Sequence, residues 1–256
     1  MSERVAVIIG GAGAIGRASA VELARRGVSC VLNGMTQSTL EESASLLADV
    51  GARAAVVQGD AGDEGVVKRV FEACDEEFGS CDILLHAAAV QGPIAPVEAI
   101  ALAEWDQVLR VNLTSAFLCA REAMTRMIPQ GGGSVIFTSS ADAVRGFPMT
   151  SPYASTKAGL IGLARALSAE AKADGIRVNV LSPGPVPEAA IFQIAMSGMA
   201  GQLDLPPGEV MSSVLGSMHG GRDIDAAAVA RGVAFLAGSD SSAMTGQVLV
   251  MDSVPG

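Results

Sequence analysis

Tyr153 and Lys157 stand four residues apart in the stretch Ser151-Pro152-Tyr153-Ala154-Ser155-Thr156-Lys157. Ser151 can cap a first helical turn, and Pro152 suits the first helical position, where its missing N–H would have had no intrahelical partner. On the helix this predicts, positions i and i+4 share a face, so a phenol lies beside an ammonium. The positive charge favours phenolate over phenol and lowers the tyrosine pKa, which makes a proton donor and acceptor usable nearer neutral pH. A lone Tyr-x-x-x-Lys is more often an ordinary tyrosine next to a solvated lysine. This is the only tyrosine in the chain, and the residues before it decide between the two readings.

Those residues predict an alternation of strands and helices. Val5–Ile9 is a continuous apolar run, as expected of a parallel strand covered on both faces. Gly10-Gly11-Ala12-Gly13-Ala14-Ile15-Gly16 follows, then a helical segment over 17–26. Strand, glycine-rich turn and helix form the setting a dinucleotide requires, because small residues let backbone N–H groups approach a pyrophosphate at a helix N-terminus. Further strands are expected at 28–33, 53–58, 82–85, 134–138, 176–181 and 247–251. Helices are expected at 38–50, 64–78, 104–127, 152–173 and, capped by Asp225, up to 237. Asn112 falls inside the long 104–127 helix, where an asparagine competes with the backbone for hydrogen bonds and signals a function or a kink. Ser139-Ser140 ends the fifth strand, at the edge where ligands sit in such sheets. Asp60, past the third strand, could reach an adenine edge or cap the next helix, and Asp63 is an equally good cap. The segment 185–224 holds few charges and several methionines (Met196, Met199, Met211, Met218). It reads as an adaptable cover over an apolar pocket or as a packed helical insertion at a subunit contact. The pattern implies one α/β domain over 1–256, a Rossmann-type doubly wound parallel sheet of about seven strands with helices on both faces.

Composition narrows the function classes. The chain has 256 residues, half of them hydrophobic, enough for one large core. With 17 basic and 27 acidic residues the net charge is −10, which disfavours nucleic acid and anionic membranes as partners. Cys30, Cys74, Cys81 and Cys119 form no C-x-x-C pair and read as buried free thiols of a reducing compartment. His86 and His219 are the only histidines, so a histidine-based metal site has little support. No signal-peptide pattern or membrane-helix run is seen, and a cytoplasmic protein is expected.

Taken in order, the glycine turn, Val111-Asn112-Leu113, Ser140, the Tyr153/Lys157 pair and Pro183-Gly184 resemble the short-chain dehydrogenase/reductase family over almost the whole chain. Ser140 lies thirteen residues before Tyr153, as in that family, whereas Ser139 is one residue too far. The resemblance implies a hydride transfer between a nicotinamide cofactor and a secondary alcohol or ketone. Tyr153 would be the general acid/base on the substrate oxygen, and Ser140 would hydrogen-bond that oxygen. Lys157 would lower the tyrosine pKa and hold the nicotinamide ribose, and Asn112 would position a water linking Lys157 to solvent. Cofactor contacts are implied at Gly10, Gly13, Ala14, Ile15, Gly16, Asn33, Met35, Asp60, Ala61, His86, Ala87, Ala88, Pro183, Gly184 and Val186. Substrate contacts are implied at Gln91, Asp142, Ser140 and Tyr153; the carboxylate of Asp142 would meet a hydroxyl or an ammonium, or pair with Arg145.

Four positions depart from the family pattern. Ala14 replaces a glycine, His86-Ala87-Ala88-Ala89 replaces Asn-Asn-Ala-Gly and puts an imidazole near the cofactor, Glu188 stands where a threonine often holds the carboxamide, and the last strand ends Asp252-Ser253. At the second strand end, Asn33-Gly34-Met35 offers neither the aspartate that binds ribose hydroxyls nor the arginine that accepts a 2′-phosphate. The absent arginine and the acidic balance favour NAD(H) over NADP(H). Little positive charge in 185–220 points to a mostly apolar, neutral, cyclic or aliphatic alcohol. Two other readings of the same fold are a cofactor-binding regulator or redox sensor, and an epimerase or dehydratase. The family also implies a homo-oligomer, a dimer or tetramer built on the helices 104–127 and 152–173.

Overall fold

Alternate residues of the first strand face opposite sides of a sheet, and both sides here are apolar. In the computed structural model, which describes residues 3–217 and 223–252, β1 (Arg4–Ile9) sends Val5, Val7 and Ile9 into one buried cluster and Ala6 and Ile8 into another. The chain continues through α1 (Ala14–Ala24), β2 (Val28–Gly34), α2 (Gln37–Ala48), β3 (Ala54–Gln58), α3 (Glu64–Phe78) and β4 (Ile83–His86). After α4 (Leu102–Leu109), a π-helical turn (Arg110–Thr114) and α5 (Ser115–Gln130) come β5 (Gly133–Thr138), the short α6 (Asp142–Arg145) and α7 (Ser151–Glu170). β6 (Ile176–Pro183), α8 (Ala190–Leu203), α9 (Pro207–Ser217), α10 (Ala226–Ala237) and β7 (Val248–Met251) complete the described elements.

All seven strands form one parallel sheet in the order β3-β2-β1-β4-β5-β6-β7. The α/β doubly wound architecture expected from the sequence is therefore present. The order reverses between β1 and β4, and such a switch point opens a crevice at the carboxyl ends of its strands. One face of the sheet is packed by α3, α5 and α7, with Val70, Phe71, Ala120, Met127 and Leu160 fully buried. The other face is packed by α1, α2 and α10, with Ala20, Leu40, Leu47, Val229 and Val233. Cys30, Cys74, Cys81 and Cys119 are free and buried. Burial holds Cys30 protonated by pushing its thiol up to about 12. Among the described residues no helix is long and apolar enough to cross a membrane.

Several boundaries differ from the sequence reading for identifiable reasons. The first helix starts at Ala14, directly on the glycine turn, rather than at Arg17. The long helix starts at Leu102 because Glu104, from inside the first turn, accepts from Ala101 N at 3.1 Å. It is then broken by the π-helical turn that contains Asn112, so the 104–127 span is two α-helices. Ser151 does not cap the 151–170 helix. Thr150 occupies the cap position without a side-chain bond to the helix, and Ser151 Oγ is buried without a partner. Asp63, not Asp60, caps α3, accepting from Val66 N at 2.9 Å. Asp225 caps α10 as expected. Met218, His219 and Ser253 lie outside the described residues.

Candidate active site at the carboxyl edge of the sheet

The glycine turn sits at the β1 side of the switch crevice. Gly10 N and Gly11 N donate to Asn33 O at 2.9 and 2.8 Å, which ties the turn to the end of β2. A methyl on Gly16 would lie 2.1 Å from Gly10 O, so the turn closes on itself only because position 16 has no side chain. Helix α1 begins here with neither a side-chain cap nor an acidic residue in its first turn. Its leading N–H groups, which have no intrahelical acceptor, are left for an anion. Ala14 is accommodated, partly buried against the α1/α10 side of the core. These features fit the pyrophosphate of a dinucleotide.

Across the crevice, the end of β5 and α7 bring the candidate catalytic side chains together. Ser140, Tyr153 and Lys157 border one cavity of about 110 Å³, with Ile15, Ala87 and Gln91 on the crevice side and Pro183, Gly184 and Val186 from the end of β6. Lys157 is 2 % exposed, donates from Nζ to Thr138 O at 2.8 Å and lies 5.5 Å from the centre of the Tyr153 ring. Burial alone brings its ammonium down from 10.5 to about 7. The sequence did not foresee either feature, since a backbone carbonyl has no residue signature and the depth of a side chain is not a local property. The two serines both border the cavity, but differ in their bonding. Ser139 Oγ is buried and committed to Lys157 O, to which it donates at 2.8 Å, pinning α7 to the end of β5, while Ser140 is the less buried of the two.

Asn112 supports this arrangement from the π-helical turn. Its Oδ1 accepts from Val90 N at 2.8 Å, and its Nδ2 donates to Val90 O at 2.9 Å and to Thr156 Oγ1 at 3.2 Å. One buried carboxamide thus joins the loop after β4 to the reactive face of α7. The roof is α8, which contributes Ile191, Phe192, Ala195, Met196 and Met199 to the cavity. Helices α8 and α9 have a small core of their own with Ile94, Ala141 and Val210. Phe147 and Phe192 also border the cavity; they were not singled out in the sequence, where an isolated phenylalanine looks like any core residue.

Other expected contacts are placed differently. The Asn33 side chain is buried and donates to Val57 O and Gly59 O, so it staples β2 to β3 instead of facing a ribose. Asp60 is bound by Gly62 N and by Arg110 at 2.7 Å, which hold its carboxyl below the usual range against the opposing effect of burial. It is therefore already engaged at the place where an adenine contact was expected. The Ala61 methyl packs in the core, and Ala88 backs Gly10 through its main chain. The His86 imidazole points into the protein, with Nε2 2.7 Å from Ser115 Oγ, rather than toward the crevice. Met35 is two-thirds exposed, and Glu188 is exposed and does not border the cavity. Asp142 begins α6, and its side chain lies outside the described residues. Arg145 pairs with Asp252 at 2.9 Å. Among the described residues no group of three His, Cys, Asp or Glu could hold a metal ion.

A family model described as enoyl-(acyl carrier protein) reductase matches residues 10–253. A cis-4-hydroxycyclohexanecarboxylate dehydrogenase of Sinomonas cyclohexanicum is 32% identical over 98% of this chain and 96% of its own. The crystal structure of levodione reductase superposes with a TM-score of 0.93 at 30% identity, covering 98% of this chain and 97% of the other. That of NAD+-bound xylitol dehydrogenase does so with 0.93 at 29% identity, covering 98% of each chain. The motif order, the seven-stranded sheet and these matches agree, and the chain belongs to the short-chain dehydrogenase/reductase family.

Proposed function

We propose that the protein is an NAD(P)-dependent dehydrogenase/reductase that interconverts a secondary alcohol and its ketone, with Tyr153 as general acid/base. The observation that carries this reading is the single cavity bordered by Ser140, Tyr153 and Lys157 beside the switch crevice. The nicotinamide, when bound, supplies the acceptor or donor of the hydride. In the oxidation direction the Tyr153 phenolate oxygen would take the proton of the carbinol as the C–H hydride leaves; in reduction the resulting phenol would return it. Ser140 donates to the same oxygen, where negative charge develops. Lys157 holds the nicotinamide ribose and biases Tyr153 toward phenolate. Asn112 fixes the loop after β4 and the face of α7 relative to each other, and its turn is the place for a water that links Lys157 to solvent.

NAD(H) is the favoured cofactor. The β2 end offers only Gly34, Met35 and Thr36, without a cation for a 2′-phosphate. Arg17 on α1 is already engaged by Ser43 Oγ at 3.0 Å, Thr39 O at 3.4 Å and Glu42 at 3.5 Å. The relatives' names, which include a hydroxycyclohexanecarboxylate dehydrogenase and a xylitol dehydrogenase, support the reaction class. The apolar roof formed by Phe192, Met196 and Met199 supports a largely apolar, neutral substrate body. The test is a panel of cyclic and aliphatic alcohols and ketones with both cofactors, followed at the absorbance of the reduced nicotinamide. Turnover with NAD(H) is expected. Absence of net cofactor turnover across the panel would refute the assignment, and a tenfold preference for NADPH in kcat/KM would overturn the cofactor choice.

A further inference from the structure

Phe147 borders the cavity from a turn that has little packing of its own. The stretch between α6 and α7 exposes Arg145, Gly146 and Pro148. Only Phe147 and Met149 turn inward, both partly buried against the small core of α8 and α9. The backbone is also strained. Gly146 and Met149 have φ of +70° and +65°, and the left-handed region is unfavourable for a residue with a side chain. A turn with few buried contacts and such a residue keeps its shape through its tethers. Thr150 Oγ1 donates to Phe147 O at 2.8 Å, and Ala95 N donates to Met149 O at 3.1 Å. A third tether comes from the far end of the chain, where Arg145 Nη2 donates to Asp252 Oδ2 at 2.9 Å. The Asp252 side chain is 9 % exposed and that of Arg145 26 %. Each charge has given up water that the other replaces, and salt screens such a pair weakly.

The anchor of this third tether is fixed to the sheet. Asp252 follows β7, whose last residue accepts from Gly184 N through Met251 O at 2.7 Å. A methyl on Gly184 would lie 3.2 Å from Asp252 Oδ1, so the carboxylate sits against the Pro183-Gly184 wall of the cavity. Arg145 itself does not border the cavity; it ends α6, two residues before Phe147. We infer that Arg145 is a positioning residue: its ion pair with Asp252 holds Phe147 in the cavity wall and thereby sets how wide a substrate the site accepts. This rests on the alcohol/ketone reading above. With the pair intact, the cavity of about 110 Å³ selects a compact alcohol or ketone. Loss of the pair widens the site without touching Ser140, Tyr153 or Lys157.

The experiment compares kcat/KM for cyclohexanone and 4-tert-butylcyclohexanone in the wild type and in Arg145→Met. Hydrogen exchange over residues 143–150 is followed by mass spectrometry on the same proteins without substrate. Arg145→Met should shift the kcat/KM ratio about tenfold toward the bulkier ketone, through KM rather than kcat. The segment should exchange about tenfold faster in that variant. Asp252→Asn should act in the same direction, and Arg145→Lys, which keeps the charge, should restore most of the wild-type ratio. In a Phe147→Ala background, Arg145→Met should add nothing to the ratio, since the group it acts through is gone. An unchanged ratio, unchanged exchange, or a ratio that moves as far without the phenyl ring would overturn the assignment and leave the proposed function standing. A wild type that reduces neither ketone with either cofactor would overturn the proposed function and the selection of width with it, while exchange would still report whether the pair holds the turn.

Discussion

Replacing Lys157 by methionine should make the cofactor-free protein more stable while removing its activity. Lys157 is 2 % exposed, and its Nζ donates to one backbone carbonyl, Thr138 O at 2.8 Å. Among the described residues no carboxylate forms an ion pair with it. Burial brings its ammonium down from 10.5 to about 7. The sign follows from proton counting. Between pH 7 and 10.5 the unfolded chain holds a proton on this lysine that the folded chain tends to release, so stability rises with pH across that window. Below pH 7 both states are charged and the full penalty is present, about 5 kcal/mol for a displacement of this size. Methionine fills a similar volume without the charge and loses the bond to Thr138 O, worth about 1 kcal/mol. A net gain of about 2–4 kcal/mol at pH 7 follows, or roughly 6–12 °C in Tm for a chain of this length. The assay is thermal unfolding of both proteins at pH 7 and pH 9.5, at equal concentration and scan rate and without cofactor. The variant should melt higher at pH 7, and most of the difference should vanish at pH 9.5. A variant that melts lower at pH 7, or a gap independent of pH, would refute the reasoning.

Three further outcomes are expected. Tyr153→Phe should lower kcat by about 10²–10⁴ while reduced cofactor still binds by fluorescence titration; an unchanged kcat would move the proton transfer elsewhere. Ser140→Ala should lower kcat by about 10² with little change in Tm, whereas Ser139→Ala should remove the bond to Lys157 O and lower stability by about 1 kcal/mol, and the reverse pattern in paired kinetics and melting curves would exchange their roles. Met35→Arg, at an exposed position past β2, should raise the kcat/KM ratio of NADP(H) to NAD(H) by about tenfold through a charge-assisted bond to the 2′-phosphate; an unaltered ratio would place the ribose away from this turn.

The sheet was legible because its signals are local and periodic. Val5–Ile9 is apolar throughout and Val28–Asn33 is mostly so, and Gly10–Gly16 lies between them in a turn of small residues. The candidate set was legible as residue types at particular spacings, and the fold brings Ser140, Tyr153 and Lys157 to one cavity. What escaped were properties set by the fold. Asn112 carried a visible oddity, but its partners Val90 and Thr156 are 22 and 44 residues away. Asn33 and Asp60 have side chains suited to a ribose or an adenine, and tertiary neighbours (Val57, Gly59 and Arg110) took them first. Lys157 was read as a ready ammonium, and only its depth shows that its charge opposes folding. Of the methionines singled out in 185–224, Met196 and Met199 border the cavity and Met211 packs beside α8, contacts that had no motif to betray them.

The departure at His86 shows how such a site absorbs a change without becoming a new titrating centre. Ser115 N bonds to Arg110 O in the π-helical turn, so Val111 O is left to the Ser115 hydroxyl, which donates to it at 2.5 Å. That hydroxyl has a single proton, so at 2.7 Å from His86 Nε2 it must be the acceptor, and the imidazole carries its hydrogen on Nε2. Nδ1 then presents a buried lone pair with no donor opposite it. Burial, aided by the charge on Lys157, lowers the imidazole to about 3, so His86 stays neutral throughout the pH range in which a dehydrogenase is assayed. Its work is to connect the end of β4 to the widened turn that holds Asn112. An ionisation near neutral pH in the rate profile is therefore expected from Lys157, whose ammonium burial brings down to about 7. Replacing His86 by glutamine, which keeps a donor for Ser115, should leave that ionisation in place.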